Sequence, residues 1–315
     1  MASPPRFPLF DHPSPLQPLP HFCDALGGRA EIWIKREDLL PLAFGGNKLR
    51  NLEFLVGAAL ADGADTLITS GRRWSNHARL TAAAGARAGV AVHLVLSGPP
   101  LDPPGPGVRL AQSFGATIHQ LATADRDERE AKVAEIADDV TARGGSPYVI
   151  GVGGTGAVGA YGQLLAGQEV VAQADEIELG IDRVVLATAT GGTQAGLLAG
   201  LPPATRVTGI VVARTADELR PVIARTVTEL GARIDPADIE LDERFMGGGY
   251  GRPTAAAREA GDLLARTEAI LVDPIYTAKA LAGLLGGVRS GVWDSEQIVF
   301  WHAGGLPGLF EPLDA

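Results

Sequence analysis

Short apolar runs alternate with segments of helical period along most of this chain of 315 residues. The helical period is clearest in the segment whose apolar residues are Leu52, Leu55, Val56, Ala59 and Leu60. Strand–helix alternation requires crossover connections, which produce parallel sheets covered by helices. The pattern therefore predicts an open, doubly wound α/β fold with two sheets. The predicted strands are Glu31–Lys35, Asp65–Thr69, Ala91–Leu96, Thr117–Leu121, Pro147–Ile150, Arg183–Thr188, Arg206–Val212, Ala269–Val272 and Gln297–Trp301.

Prolines, glycines and charges predict what lies between the strands. The many prolines of residues 1–20 indicate an extended arm laid over the body, and the cluster Pro99–Gly107 indicates a loop. The charged residues Asp125–Arg129 indicate the solvated start of a helix that continues over Glu128–Arg143. Glycine, with 41 residues, is in excess, which indicates many turns where the backbone approaches something closely.

Charge and cysteine content exclude several classes of function. Lys and Arg number 27 against 37 Asp and Glu, so we expect neither nucleic acid nor an anionic membrane as a partner. Cys23 is the only cysteine, which excludes a disulfide framework and a cysteine zinc site, and the scattered histidines predict no transition metal. Neither a secretory signal nor a membrane-spanning apolar stretch is recognisable, so a cytoplasmic protein is expected.

The first of three notable turns is Gly45-Gly46-Asn47-Lys48. Asn47 is a good N-cap for the helix that follows, which places Lys48 in the first helical turn. There the positive end of the helix dipole disfavours an ammonium ion, so Lys48 could have a depressed pKa and act as a nucleophile. From its spacing alone, a surface lysine at a helix start is the simpler interpretation of Lys48.

Two further turns look like anion sites. Ser75-Asn76-His77 precedes an alanine-rich helix, and its side chains with free N–H groups could hold a carboxylate, although Ser75 could also be an ordinary cap. Thr190-Gly191-Gly192-Thr193 follows a buried strand and opens a helix, which is typical of a phosphate site. No Lys-Ser/Thr follows it, so it is not a nucleotide P-loop, and a glycine turn made only for packing stays open.

A competing motif is Gly151-Val152-Gly153-Gly154-Thr155-Gly156, which fits GxGxxG after a strand and before a helix. Asp175 and Glu176 follow at about 20 residues, as in a dinucleotide-binding fingerprint. GxGxxG arises often by chance in a glycine-rich chain, and no second mononucleotide half clearly follows. A nicotinamide-dependent oxidoreductase is thus an alternative with weak support.

Together, these turns resemble the D-cysteine desulfhydrase/1-aminocyclopropane-1-carboxylate deaminase family of tryptophan-synthase-β-like (fold-type II) pyridoxal-phosphate enzymes. The resemblance covers nearly the whole chain from Ile34 onward. The matching pieces, in order, are Gly45–Lys48, Glu53–Leu55, Ser75–His77, Thr190–Thr193 with Ala195-Gly196, Gly249–Gly251, Asp273–Thr277 and Gly304–Gly308.

The resemblance implies a two-lobed α/β fold with open twisted parallel sheets. A large cofactor-binding domain would comprise residues 1–52 and 160–315, and a smaller inserted domain would comprise residues 53–159. It also implies pyridoxal 5'-phosphate as the cofactor, a small amino acid as the substrate and a homodimer. Within this frame, Gly151–Gly156 looks like the crossover between the lobes.

The resemblance further implies roles for single residues. Lys48 would carry the cofactor aldehyde as a Schiff base beside Asn47, and Asn76 would bind the pyridine 3-oxygen. Ser75, Asn76 and His77 would grip the substrate carboxylate. Tyr250, Tyr276 and Ser75 are candidate proton donors. The phosphate would lie on Thr190, Gly191, Gly192 and Thr193.

Departures from the family pattern bear on the substrate. Trp74, after Arg72 and Arg73, stands where relatives commonly have Gln, and an arginine there could pair with a second acidic group such as a sulfonate or carboxylate. Ala303 replaces a Thr that could contact the pyridine nitrogen, a role that Thr277 could take. Thr277 and His77 both favour a desulfhydrase over a cyclopropane deaminase.

We therefore predict β-elimination or deamination of a small amino acid, with D-cysteine or a related β-substituted amino acid as the leading substrate. Ring opening of 1-aminocyclopropane-1-carboxylate and elimination of a sulfonate are alternatives. A cofactor-binding protein that has lost turnover through Trp74 and Ala303 is a further one.

Overall fold

Two sheets are present, as the strand–helix alternation predicts. A computed structural model describes residues 2–313 of the chain. Its strands are β1 Leu16–Pro18, β2 Glu31–Arg36, β3 Thr66–Arg72, β4 Ala91–Ser97, β5 Thr117–Leu121, β6 Pro147–Ile150, β7 Arg183–Thr188, β8 Arg206–Val211, β9 Glu240–Asp242 and β10 Gln297–His302. Its helices are α1 Pro20–Ala25, α2 Lys48–Ala61, α3 Asn76–Ala88, α4 Pro106–Ser113, α5 Arg126–Ala142, α6 Ala157–Glu176, α7 Gly192–Gly200, α8 Ala216–Glu229, α9 Ala255–Glu268 and α10 Thr277–Arg289.

The larger sheet has the strand order β1-β2-β10-β7-β8-β9. All neighbours in it are parallel except β1, which pairs antiparallel with β2. The smaller sheet has the order β5-β4-β3-β6 and is parallel throughout. In each sheet the parallel strands end at the same edge, which is where open α/β sheets bind ligands.

Helices cover both faces of the larger sheet because its central strands are apolar on both sides. In β7, Val184 and Leu186 pack in a cluster with residues of α6 and α7. Val185 points to the opposite face and packs with residues of α9 and α10. The two-residue period of a strand thus divides one apolar run between two cores.

One predicted strand, Ala269–Val272, is not a strand. Ala269 ends α9 in the left-handed conformation, with φ of 55°. The following segment keeps an alternation of buried and exposed side chains, with Leu271 53% exposed. The Nε2 atom of His302 lies 2.8 Å from the carbonyl oxygen of Leu271. A side chain therefore occupies a backbone acceptor that would bind the N–H of a neighbouring strand in a sheet.

The sequence patterns also missed short elements. The proline-rich arm of residues 1–20 contains the edge strand β1, and the cluster Pro99–Gly107 runs into α4, which begins at Pro106. Helix α4 can begin at Pro106 because a proline is well tolerated in the first turn of a helix. Strand β9 was also missed, because three residues are too few to show an alternation of apolar and polar side chains.

The predicted domain boundaries, 1–52 with 160–315 and 53–159, stay a prediction, and residues 1, 314 and 315 lie outside the described residues. Strands β3 to β6 and helices α3 to α5 all fall between residues 53 and 159. Helices α2 and α6, which cross the two predicted boundaries, pack against each other: a Cβ on Gly162 would lie 1.9 Å from the carbonyl oxygen of Arg50, so only glycine allows this approach.

Candidate active site

A cavity of about 490 Å³ lies between the carboxyl ends of strands from both sheets. Its size is within the range of small-molecule sites. It brings together most of the residues selected from the sequence, although they come from distant parts of the chain. Those that line it are Asn47, Lys48, Ser75, Asn76, His77, Thr190, Gly191, Thr193, Tyr250 and Tyr276.

Lys48 begins α2 and reaches into this cavity. Its ammonium donates a hydrogen bond to the carbonyl oxygen of Gly153 at 3.0 Å. Burial lowers the pKa of Lys48 to about 8, because desolvation disfavours the charged form. A substantial fraction of the amine is therefore neutral near physiological pH, which is what a nucleophilic lysine requires.

The position of α2 is fixed by a buried ionic network. Arg50 donates to Glu37 at 2.6 Å and to Glu169 on α6 at 2.8 Å. Asn47 precedes the helix but does not cap it with its side chain, contrary to the sequence prediction. Its Nδ2 instead donates to the hydroxyl of Thr193 at 2.9 Å, so it ties the lysine turn to the glycine-rich turn.

The glycine-rich turn opens α7 directly at the cavity. Gly191 has φ of 87°, a conformation that favours glycine, and no side chain caps the helix. The hydroxyls of Thr190 and Thr155 are 2.6 Å apart. An uncapped helix N-terminus with hydroxyl groups beside it can hold a phosphate.

The second turn places another helix N-terminus at the cavity. Ser75 caps α3, as predicted, since its hydroxyl accepts from the backbone N–H of Ala78 at 3.2 Å. A Cβ on Gly71 would lie 2.7 Å from the Cβ of Ser75, so only glycine lets the end of β3 approach this turn. Asn76 donates nothing within the turn, but its Oδ1 accepts from Arg79 at 3.3 Å.

The tautomer of His77 follows from its partner. Thr69 gives its one hydroxyl hydrogen to the carbonyl oxygen of Ile150 at 2.8 Å. Its oxygen, 3.1 Å from Nε2 of His77, must therefore accept, so Nε2 carries the hydrogen and Nδ1 is an acceptor. Burial and the charge of Lys48 lower the pKa of His77 to about 3, so the ring is neutral at physiological pH.

Tyr250 and Tyr276 share a hydrogen bond between their hydroxyls, and their ring centroids lie 5.8 Å apart. Burial raises the pKa of Tyr250, and it raises the pKa of Tyr276 well above the ordinary value, so both phenols stay protonated. The backbone N–H groups of Ile275 and Tyr276 donate to the buried carboxylate of Asp273 at 2.9 and 2.7 Å. Asp273 thus positions Tyr276, a role that the sequence patterns did not reveal.

Three predicted residues do not line the cavity: Trp74, Gly192 and Thr277. Trp74 lies one layer behind, packed edge-on against Tyr250 with ring centroids 5.8 Å apart. The hydroxyl of Thr277 donates to Asp273 at 2.5 Å, which occupies its hydrogen. Contact of Thr277 with a cofactor ring nitrogen stays a prediction.

Arginines are the main surprise of the site. Arg72, Arg126, Arg129 and Arg214 all line the cavity. Arg129 is only 9% exposed, so the prediction of a solvated stretch from Asp125 to Arg129 is wrong at its last residue. Arg73 turns away from the cavity and forms a buried ion pair with Glu311. The position of Arg214 just after β8 is a sequence signal that the prediction did not use.

The GxGxxG segment also belongs to this cavity. It forms a short 3-10 turn between β6 and α6, and Gly153 has φ of 73°. A Cβ on Gly153 would lie 2.7 Å from the hydroxyl oxygen of Thr190. The glycines therefore allow the segment to pack between Lys48 and the turn at Thr190.

Comparison with known proteins identifies the family. A family model described as pyridoxal-phosphate dependent enzyme matches residues 8–304. The chain belongs to this family. The resemblance seen in the sequence is therefore confirmed, and pyridoxal phosphate is the cofactor of the family.

Named relatives within the pyridoxal-phosphate family are similar over almost their whole length. The D-cysteine desulfhydrase of Salmonella typhi is 40% identical over 97% of this chain and 95% of its own. That of Salmonella newport (strain SL254) is also 40% identical over the same shares.

Solved structures of the pyridoxal-phosphate family confirm the fold. An ACC deaminase homologue is 35% identical with a TM-score of 0.89, covering 98% of this chain and 94% of its own. The T.th. threonine deaminase, at 21% identity and a TM-score of 0.71 over 93% and 92% of the chains, supports the fold alone. The predicted fold-type II α/β architecture is therefore correct.

The residues of the cavity fit pyridoxal phosphate. The cofactor needs a lysine amine that is partly neutral and a site for its phosphate. Lys48 and the uncapped N-terminus of α7 supply these two features in one cavity. No helix within residues 2–313 is both long and apolar enough to cross a membrane.

Proposed function

We propose that the protein catalyses β-elimination from a small β-substituted amino acid, releasing a 2-oxo acid and ammonia, with D-cysteine as the leading substrate. One observation carries the proposal: the Lys48 amine shares a cavity with the N-termini of α3 and α7. The first terminus suits a carboxylate and the second a phosphate. The 40% identity to D-cysteine desulfhydrases supports the same reaction class.

The proposed chemistry divides between cofactor and chain. When bound, pyridoxal phosphate supplies the electron sink that stabilises negative charge at the α carbon. Lys48 would anchor the cofactor and then take the proton from the α carbon, for which its lowered pKa of about 8 is suitable. Thr190, Gly191, Gly192 and Thr193 would hold the phosphate, with Asn47 orienting Thr193.

The substrate carboxylate would lie on the turn formed by Ser75, Asn76 and His77. Neutral His77 adds no positive charge there, so the carboxylate would depend on backbone N–H groups and on the side chains of Ser75 and Asn76. Asn76 would also contact the 3-oxygen of the cofactor ring. Thr277 remains the proposed partner of the ring nitrogen, in the absence of a hydroxyl at Ala303.

The tyrosine pair is proposed to protonate the leaving group. Both hydroxyls remain protonated because burial raises their pKa values. When one phenol gives its proton to the leaving group, the hydroxyl of the other can donate a hydrogen bond to the phenolate that is left. Tyr276 and Tyr250 are therefore the first candidates, and Ser75 is the third. Trp74 would influence the substrate indirectly, by packing behind Tyr250.

An amino-acid panel tests the proposal. The purified protein with pyridoxal phosphate is given D- and L-cysteine, D- and L-β-chloroalanine and 1-aminocyclopropane-1-carboxylate, and the release of 2-oxo acid and ammonia is measured. Pyruvate from a β-substituted compound supports the proposal. Oxobutyrate from the cyclopropane compound alone would favour the deaminase, and a coloured protein inert to all five would favour the non-catalytic alternative.

A homodimer, which the family resemblance implies, and a cytoplasmic location, which the sequence pattern predicts, complete the proposal. The mass of the protein in solution tests the first element. Cell fractionation tests the second.

A further inference from the structure

A buried lysine that does not line the cavity contacts the loop that carries Tyr250. Lys279 lies in the first turn of α10, is completely buried and has no part in the chemistry proposed above. Its ammonium donates to the carbonyl oxygen of Met246 at 2.7 Å and to that of Gly249 at 3.0 Å. Both acceptors belong to residues 245–253, in the irregular stretch between β9 and α9, which we call the tyrosine loop.

The surroundings of Lys279 are unfavourable for a positive charge. The ammonium is close to the N-terminus of α10, where the positive end of the helix dipole disfavours it. It forms no ion pair within residues 2–313. Desolvation lowers the pKa of Lys279 to about 8, and the charge of Asp273 offsets this shift only in part. A buried lysine therefore depends on its two acceptors, and both of them belong to the tyrosine loop.

Few hydrogen bonds hold the tyrosine loop. Within residues 2–313, the loop is bonded to other elements through the two bonds from Lys279 and the one between the hydroxyls of Tyr250 and Tyr276. Its remaining hydrogen bonds are local, from the N–H of Met246 to the residue three positions before it and from the N–H of Arg252 to the carbonyl oxygen of Gly249. Removing Lys279 would leave the tyrosine hydroxyls as the one hydrogen-bonded link to α10.

Apolar packing holds the two ends of the loop and leaves its middle free. A Cβ on Gly286 of α10 would lie 2.5 Å from the ring of Phe245, and a Cβ on Gly251 would lie 2.4 Å from the ring of Trp74. Gly247 and Gly248, between these ends, are exposed. Because Lys279 binds the carbonyl groups on either side of the two glycines, it fixes the part of the loop that packing does not.

This part of the loop leads directly to Tyr250. Gly249, the residue before Tyr250, has φ of 117°, a conformation that glycine adopts easily and leaves easily. Tyr276 is positioned separately, at the start of α10, three residues before Lys279. One ammonium therefore joins the backbone beside one phenol to the helix beside the other.

We propose that Lys279 is a positioning residue for the tyrosine pair, because its ammonium holds the tyrosine loop against α10 and so keeps the hydroxyl of Tyr250 on that of Tyr276. The consequence for catalysis rests on the proposed function, in which this pair protonates the leaving group. The attachment of the loop does not rest on it. The two parts are therefore tested separately.

Hydrogen exchange of the cofactor-loaded protein, followed by mass spectrometry, tests the attachment of the loop without turnover. Lys279→Met has a side chain of similar length but no donor, so the amides of Met246 and Arg252 should exchange at least about tenfold faster. Lys279→Gln keeps an N–H donor and should retain part of the protection, and it replaces Lys279→Met if that variant does not fold. Arg289→Met, at the exposed end of α10, is the matched control and should leave the exchange of the loop unchanged.

A change of leaving group tests the consequence for the tyrosine pair. In Lys279→Met, kcat/KM for D-cysteine should fall roughly 10- to 100-fold, and that for β-chloroalanine should fall less, because chloride leaves without a proton. Tyr276→Phe disables the same pair, so adding Lys279→Met to it should cost little more. A double-mutant cycle measures this coupling. A merely structural loss would be equal for the two substrates and would multiply with the loss in Tyr276→Phe.

The possible outcomes separate this inference from the proposed function. Unchanged exchange of the tyrosine loop in Lys279→Met would overturn the attachment. Faster exchange, with losses that multiply and do not depend on the leaving group, would overturn the role of Lys279 toward the tyrosine pair and leave the proposed elimination standing. If the wild-type protein consumes neither substrate, the proposed elimination fails, and the exchange rates still decide whether Lys279 holds the loop.

Discussion

The ammonium of Lys48 lies 3.0 Å from the carbonyl oxygen of Gly153, which joins the start of α2 to the segment before α6. The two residues are 105 positions apart in the chain. Gly153 also lies against Thr190, so one short turn contacts both the lysine and the proposed phosphate site. This arrangement places the GxGxxG segment at the cavity that is proposed to hold pyridoxal phosphate. The chain belongs to a pyridoxal-phosphate family, so the nicotinamide alternative has no support.

The first prediction concerns the lysine itself. Protein purified with pyridoxal phosphate should be yellow, and borohydride reduction should attach the cofactor covalently to Lys48, as peptide mass spectrometry would show. Lys48→Ala should lose at least about 100-fold in activity, because both the anchor and the base are removed. Lys132→Ala, at a half-buried lysine on α5 that pairs with Glu135 and does not line the cavity, is the control. A Lys48→Ala variant with full activity would end the proposal.

The second prediction is a pH dependence. The neutral amine is the reactive form, and its fraction rises with pH up to the pKa of Lys48, which is lowered to about 8. The rate at which cofactor-free protein captures pyridoxal phosphate should therefore rise about tenfold per pH unit and level off above pH 8, as visible absorbance would follow. Nα-acetyl-lysine, with a pKa of about 10.4, should keep gaining rate beyond that point. The same profile for protein and free lysine would contradict the burial effect.

The third prediction separates packing from backbone strain. Gly153 and Gly63 have almost the same φ, 73° and 74°, but a Cβ meets Thr190 at Gly153 and nothing within 4 Å at Gly63. Both alanine variants should lose about 1 kcal/mol in the free energy of unfolding from the positive φ. Gly153→Ala should lose at least about 1 kcal/mol more through overpacking, and its affinity for pyridoxal phosphate should weaken. Urea unfolding and cofactor titration measure the two effects, and identical behaviour of the variants would count against the contact.

The fourth prediction concerns the tyrosine pair. Tyr276→Phe removes a hydroxyl that bonds to Tyr250, and kcat/KM should fall by roughly 100-fold if the pair protonates the leaving group. The loss should be smaller for β-chloroalanine than for D-cysteine, because chloride leaves without a proton. Tyr148→Phe, on β6 of the smaller sheet, is the control. An equal loss for both substrates would indicate a structural role instead.

Much of the fold was predictable because the spacing of apolar residues in long segments indicates which side chains are buried and hence which secondary structure forms. Eight of the nine predicted strands form, among them the buried run Arg183–Thr188, and Ser75 caps its helix as expected. The strand predicted at Ala269–Val272 is wrong for a physical reason. Its side chains alternate between buried and exposed because the segment packs against the protein body, but its backbone pairs with no strand. Asn47 was also mispredicted because local sequence does not show tertiary contacts. It is a residue type that often caps helices, but its side chain donates to the hydroxyl of Thr193, which the tertiary structure brings close.

The sequence by itself determined the reaction family of this protein. Its lysine turn, its two turns predicted to bind anions and its parallel-sheet pattern are local features. Such features are set by backbone conformation and hydrophobic period. Only the tertiary structure decided which charges face the cavity. Arg129 and Arg73 both sit in charged or polar stretches, yet one lines the cavity and the other pairs with Glu311 at the far end of the chain. Burial and counterion distance depend on segments that are remote in sequence, so no local pattern can report them.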